Sequence, residues 1–342
     1  MSAPDASAPL AAIFTCAGTT LTDEERAFFR ETDPVGFILF DDNLESADQI
    51  RGLTGEMRAA VGRDDAPVLI DQEGGRVARL GPPTWREAPP ARRFGELAER
   101  DLEAGIAATR INARLIAAEL YDLGINVDCA PVLDLSIPGA HDVIGDRAFA
   151  GDPELVATLG RAFAEGLMAG GVLPMIKHMP GHGRAVADSH KELPAVDVSR
   201  GELNRTDFKP FQLMADMPMA MTAHILFPAI DPALPATTSP RMVRDILRGE
   251  IGFEGLLISD DVKMGALEGT NEERARAVIA AGCDLVLHCW AGVEGMAEIA
   301  QGCGRMIPAA ARRLARAQGM AAAPDPVDSA ALVAELAGLL AG

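Results

Sequence analysis

Short apolar or β-branched runs recur along the chain, each followed by a polar or glycine-rich loop and then by a segment with helical periodicity. The runs are AAIFTC (11–16), VGFILF (35–40), PVLIDQ (67–72), NVDCAPV (126–132), LPMIKH (173–178), MAMTAH (219–224), GLLISD (255–260) and CDLVLHC (283–289). Continuous apolar runs such as LPMI and GLLI predict strands buried on both faces, as in a parallel sheet covered by helices. The spacing of apolar positions predicts helices over 22–32, 46–62, 101–123, 152–170, 200–215, 240–250, 271–281 and 293–302. The helix at 152 has the best-defined start: Asp152 caps it, Pro153 fits its first position, and Glu154 adds early negative charge. Eight strands alternating with helices predict an α/β fold, the TIM-type (β/α)8 barrel, as a single domain.

No low-complexity linker divides the chain, so the barrel is expected to occupy residues 1–322. The Pro/Ala-rich stretch 321–327 is the one boundary-like feature. Beyond it, ALVAELAGLL (331–340) reads as a short amphipathic helix, which makes 323–342 a helical extension packed on or near the barrel.

Composition narrows the partners. With 31 Lys+Arg against 50 Asp+Glu the formal charge is −19, which repels phosphate backbones and anionic membrane surfaces, so neither nucleic acid nor membrane is expected. A monomer or weak homo-oligomer is expected. The five cysteines contain no CxxC pair and are odd in number, which argues against a disulfide framework or zinc knuckle and for a reduced, cytoplasmic setting. The N-terminal MSAPDASAPLAAIF lacks a basic signal-type region, and no run approaches the roughly 18 apolar residues of a membrane span.

In a TIM barrel, chemistry gathers at the C-terminal ends of the strands and in the loops that follow. Here those ends carry Asp71, Asp134, Lys177 with His178, His224, and Asp260 with Asp261. Each alone fits a structural ion pair; five strand ends together point to a site. The loop 177–194 holds His178, His182, Asp188 and His190 without the spacing of a zinc motif, so no metal is expected. In Asp188-Ser189-His190 the carboxylate can accept the imidazole Nδ1 proton and leave Nε2 to shuttle one, although spacing alone fits a loop brace equally well.

Taken in order, DQEGGRVAR (71–79), IGDRAF (144–149), KHMPGHG (177–183), DSH (188–190) and SDDVKM (259–264) resemble the signatures of glycoside hydrolase family 3 β-N-acetylglucosaminidases. The resemblance is closest to the single-domain bacterial type that recycles cell-wall fragments. It implies retaining hydrolysis of terminal non-reducing β-linked N-acetylglucosamine through a covalent glycosyl-enzyme, without a cofactor. The substrate class implied is a small carbohydrate, a muropeptide of the GlcNAc-1,6-anhydro-MurNAc-peptide type or a chitooligosaccharide-like sugar. It further implies that Asp260 is the nucleophile, that His190 paired with Asp188 is the general acid/base, and that Asp71, Arg79, Arg147, Lys177 and His178 hold the sugar.

Two features sit awkwardly with regular strands. Lys177 and His178 are neighbours that should point to opposite faces, and of Asp260 and Asp261 only one should face inward. The choice of Asp260 rests on the resemblance. The segment HCWAG (288–292) departs from the Asn-containing sequence of close relatives; packing against a neighbouring loop is the expectation for Trp290, with stacking on a sugar face as the alternative. The alternatives are a phosphorylase, which a neutral imidazole in place of a carboxylate would suit, and a non-catalytic sugar-binding barrel. A barrel acting on phosphorylated metabolites is disfavoured because the last strands lack a glycine-rich phosphate loop.

Overall fold

The computed structural model describes residues 7–341. Strands β1 (Leu10–Phe14), β2 (Pro34–Leu39) and β3 (Val68–Ile70) are followed by a small antiparallel hairpin, β4 (Gln72–Gly74) and β5 (Val77–Ala78). The remaining barrel strands are β6 (Val127–Asp128), β7 (Leu173–Met179), β8 (Met219–Thr222), β9 (Leu256–Asp261) and β10 (Leu285–Leu287). All eight barrel strands pair in parallel and close in the order β1-β10-β9-β8-β7-β6-β3-β2.

Strand alternation splits the apolar residues into two shells. Ile13, Leu69, Val127, Met175, Met221, Ile258 and Leu287 pack with one another inside the barrel. Their neighbours Phe14, Ile70, Ile176, Ala220, Leu257 and Val286 belong to a second cluster beneath the surrounding helices. The helices α1 (Asp23–Thr32), α2 (Ala47–Val61), α4 (Leu102–Asp122), α5 (Pro153–Ala169), α8 (Asn271–Ala281) and α9 (Val293–Cys303) fall within one residue of the predicted ends. Their caps explain this: Asp152 accepts a bond from the Leu155 amide at 2.8 Å, and Thr22–Glu25 and Thr270–Glu273 form reciprocal capping boxes.

Other predicted elements differ. The strand expected over 126–132 is two residues long, because Pro131 has no amide to give the ladder; Val132 rejoins by an isolated bridge to Lys177. The helix expected over 200–215 is two pieces, α6 (Arg200–Arg205) and α7 (Lys209–Leu213), with Pro210 in the first turn of the second. The 240–250 helix is a π-helix, Met242–Glu250. Sequence periodicity did not reveal α3 (Ala91–Arg100) or α10 (Pro308–Gln318).

Helix α10 matters to the site by closing the opposite end of the barrel. Ala310, Leu314 and Ala317 join the interior cluster, and Arg313 donates to Asp284, at the start of β10, at 2.7 Å. Access from that end is blocked. The last helix, α11 (Ser329–Ala341), lies against α4 and α3 through buried Leu336 and the half-buried Leu332, Leu339 and Leu340. No helix among the described residues is long and apolar enough to cross a membrane.

Candidate active site

A cavity of about 160 Å³ opens at the C-terminal ends of the strands, with Asp71, Arg79, Arg147, Lys177, His178, His190 and Asp260 on its wall. Seven of the eight residues singled out from the sequence therefore face one space, and Asp188 stands directly behind His190. Lys177 and His178 both reach the cavity, and the peptide bond joining them is cis.

The wall is organised around Glu73, which the sequence reading passed over although it lies within DQEGGRVAR. Arg147 grips its carboxylate with two bonds of 2.8 Å, and Lys177 Nζ lies 2.7 Å from Glu73 Oε1 and 2.7 Å from Asp71 Oδ1. Burial alone would raise the Glu73 carboxyl, but Arg147 and Lys177 outweigh it and hold the group well below its ordinary value. Burial likewise opposes the charge of Lys177, yet Asp71 and Glu73 raise it, so the ammonium stays charged. The backbone beneath is shaped by glycine. Gly74 and Gly75 have φ of 97° and 58°, and a Cβ on either would lie 2.4 Å from Pro89 O or 2.6 Å from Pro90 Cβ. The Gln72 side chain then ties the hairpin back by accepting from the amides of Arg79 and Leu80, at 2.8 and 3.0 Å, which sets Arg79 over the cavity.

Asp134, fully buried, orients His178: Nδ1 lies 2.6 Å from Asp134 Oδ2, while Oδ1 accepts the His182 amide at 2.7 Å. Burial would raise the Asp134 carboxyl, and His178 lowers it. His182 is buried, pushed down to about 4 by desolvation and then by His178, and its Nε2 meets Ser189 Oγ at 2.9 Å. It thus braces the middle residue of Asp188-Ser189-His190. His190 Nδ1 lies 2.8 Å from Asp188 Oδ1, which also accepts the His190 amide at 3.0 Å. Burial would raise the Asp188 carboxyl, but its bonds to His190 lower it. The imidazole itself is 64 % exposed and free to turn its Nε2 toward a ligand. Among the described residues no group of three or more His, Cys, Asp and Glu is arranged to hold a metal ion.

At the end of β9 the paired aspartates divide by environment. Asp260 borders the cavity and, among the described residues, accepts its neighbour's amide alone, at Oδ1, 2.8 Å. Burial would raise it, but nearby His224 and His178 outweigh that effect and the carboxyl is lowered. Asp261 is instead saturated: its oxygens accept the amides of Lys263 and Cys289 at 3.1 and 3.2 Å and the Trp290 indole at 3.0 Å, and burial raises it. His224 does not line the cavity; it is buried between Thr237 and the Asp261 carbonyl. Trp290 packs against the end of β9 and the segment after it, its indole bonded to Asp261 and lying under Lys263, while staying 54 % exposed.

An ionised carboxylate can attack an acetal carbon while a carboxylate-oriented imidazolium in the same cavity protonates the leaving oxygen, and charged side chains on the wall can take hydroxyls. Fold and site together define a glycoside hydrolase. The chain belongs to glycosyl hydrolase family 3, whose N-terminal domain model matches residues 12–317, and within it to the β-N-acetylglucosaminidases. It is 40% identical over 313 residues to a β-hexosaminidase from Chromobacterium violaceum, covering 90% of this chain and 87% of that one. Among solved structures it superimposes on NagZ from Neisseria gonorrhoeae in complex with N-trifluoroacetyl-D-glucosamine with a TM-score of 0.87 and 33% identity, over 97% of this chain and 98% of the other. The gonococcal protein has also been solved in complex with a zinc ion.

Proposed function

We propose that the protein removes terminal non-reducing β-linked N-acetylglucosamine with net retention, in the cytoplasm, from muropeptides of the GlcNAc-1,6-anhydro-MurNAc-peptide type. The observation that carries this reading is the shared cavity of Asp260 and the Asp188-backed His190, facing the Glu73-centred cations. Asp260 attacks the anomeric carbon while His190 gives its proton to the departing oxygen; His190 then takes a proton from water as water cleaves the ester. Two inversions at one carbon give retention. Asp188 positions the ring and offsets its charge. Asp71, Arg79, Arg147, Lys177 and His178 hold the N-acetylglucosamine ring. The match along nearly the whole length of single-barrel relatives supports the substrate class, and five unpaired cysteines suit a reducing compartment.

The test is a panel of 4-nitrophenyl glycosides followed by NMR of the first sugar released. Turnover of the β-N-acetylglucosaminide well above the β-glucoside, giving the β-anomer first, is expected. An α-anomer as first product would exclude retention, and N-acetylglucosamine 1-phosphate formed in phosphate buffer would make the protein a phosphorylase.

A further inference from the structure

A second, wider cavity of about 510 Å³ adjoins the first. The two share Asp71, Arg79, His190, Asp260 and Cys289, so the attacking carboxylate and the proton donor stand on the boundary between them. If the inner cavity holds the sugar that is transferred, the group that leaves must extend into the outer one. Its wall combines polar side chains, Thr15, Asp42 and Asn43, with two aromatic ones, Trp290 and Phe40, the second covered by the Arg79 guanidinium 5.3 Å from its ring centroid.

Two contacts fix that indole in place. Its Nε1 donates to Asp261 Oδ2 at 3.0 Å, tying the ring to the residue after Asp260. Lys263 Nζ lies over the ring, 4.4 Å from its centroid. Trp290 lines the cavity and Lys263 does not, which leaves the face away from the ammonium as the one on which a ligand can settle. A half-exposed indole held this way loses little further freedom when a flat apolar surface settles on it. The C–H face of a pyranose is such a surface, and the polar side chains opposite can take its hydroxyls.

We propose that Trp290 is the platform of the leaving-group subsite, stacking under the first sugar ring of the aglycone and favouring pyranosyl over ringless leaving groups. This rests on the hydrolase reading above. The test compares kcat/KM for GlcNAc-β-1,4-GlcNAc, which fills both cavities, with that for N-acetyl-β-glucosaminyl fluoride, which has no aglycone. In Trp290→Ala the ratio of disaccharide to fluoride should fall about tenfold, as loss of an aromatic contact of ordinary strength gives. Trp290→Phe, which keeps a ring but not the N–H, should lower it less than about threefold. An unchanged ratio in Trp290→Ala, or an equal fall in both variants, would overturn the proposal and leave Trp290 a support for Asp261. Failure of the unaltered enzyme to turn over either substrate would count against the hydrolase reading instead.

Discussion

Glu73 and His190 represent the two kinds of residue in this site, one buried beneath the charged wall and one exposed at its mouth. Because the Glu73 carboxyl is depressed in the folded protein, the stability it supplies is complete above its ordinary value of 4.5 and is lost as pH falls toward the folded one. Glu73→Gln, which leaves two buried cations underpaired, should cost about 3–5 kcal/mol at pH 7. That gap should narrow by about 1.4 kcal/mol per pH unit below 4.5. Urea melts at pH 7 and pH 3 measure both; a gap independent of pH would mean Glu73 is not the anion assumed. His190→Ala should lose about 100-fold or more in kcat/KM on a disaccharide but far less on a 4-nitrophenyl glycoside, whose leaving group needs little protonation. Asp188→Ala should show a milder form. Equal losses across leaving groups would remove His190 as the acid. The polar strand ends were legible because a charge closing an apolar strand is conspicuous. Glu73 was not, since only the hairpin places it under Arg147, which is 74 residues away in sequence.

Among the elements, the loop carrying His190 depends on the segment after β9. Gly265 and Ala266 donate their amides to the carbonyls of His190 and Ser189 at 3.0 and 3.2 Å, and a Cβ on Gly265 would lie 2.5 Å from Lys191 O. The loop of His190 and the Asp260 strand end are thereby one docked unit. Gly265→Ala should push the loop off its seat and lower kcat/KM for the disaccharide about tenfold or more, since small displacements of a reacting group are costly. Competitive binding of N-acetylglucosamine, which the proposal assigns to the inner wall, should change less than about threefold. Equal loss of binding and turnover would show that the substitution acts on the whole site. Helices with strong caps were readable to within a residue, whereas α10 was missed because its narrow apolar stripe of Ala310, Leu314 and Ala317 faces a barrel mouth rather than a sheet. The Pro131 and Pro210 irregularities show local chemistry overriding a correct broad pattern.

At the scale of the molecule, one mouth is plugged by α10 and the other gathers the charged side chains, so the barrel has a single chemical end. Its wall is explained by ion pairs and hydrogen bonds internal to the protein, and activity should therefore survive exhaustive EDTA treatment. Loss on chelation with recovery on adding zinc would recast His178, His182 and His190 as ligands. The barrel could be read from eight apolar runs alternating with helical segments, and a site from their polar ends, whereas the class of chemistry came from the resemblance to family 3. Which of Asp260 and Asp261 faces the substrate could not, because it depends on the bonds that Lys263, Cys289 and Trp290 make to one of them. That division is the centre of the mechanism. Incubation with a 5-fluoro N-acetylglucosaminyl fluoride, followed by peptide mass spectrometry, tests it directly. One fluorinated sugar attached to the Asp260 carboxylate, with trapping and turnover both abolished in Asp260→Ala, is the expected result; a label on Asp261, or no adduct while a thiazoline analogue inhibits tightly, would contradict it.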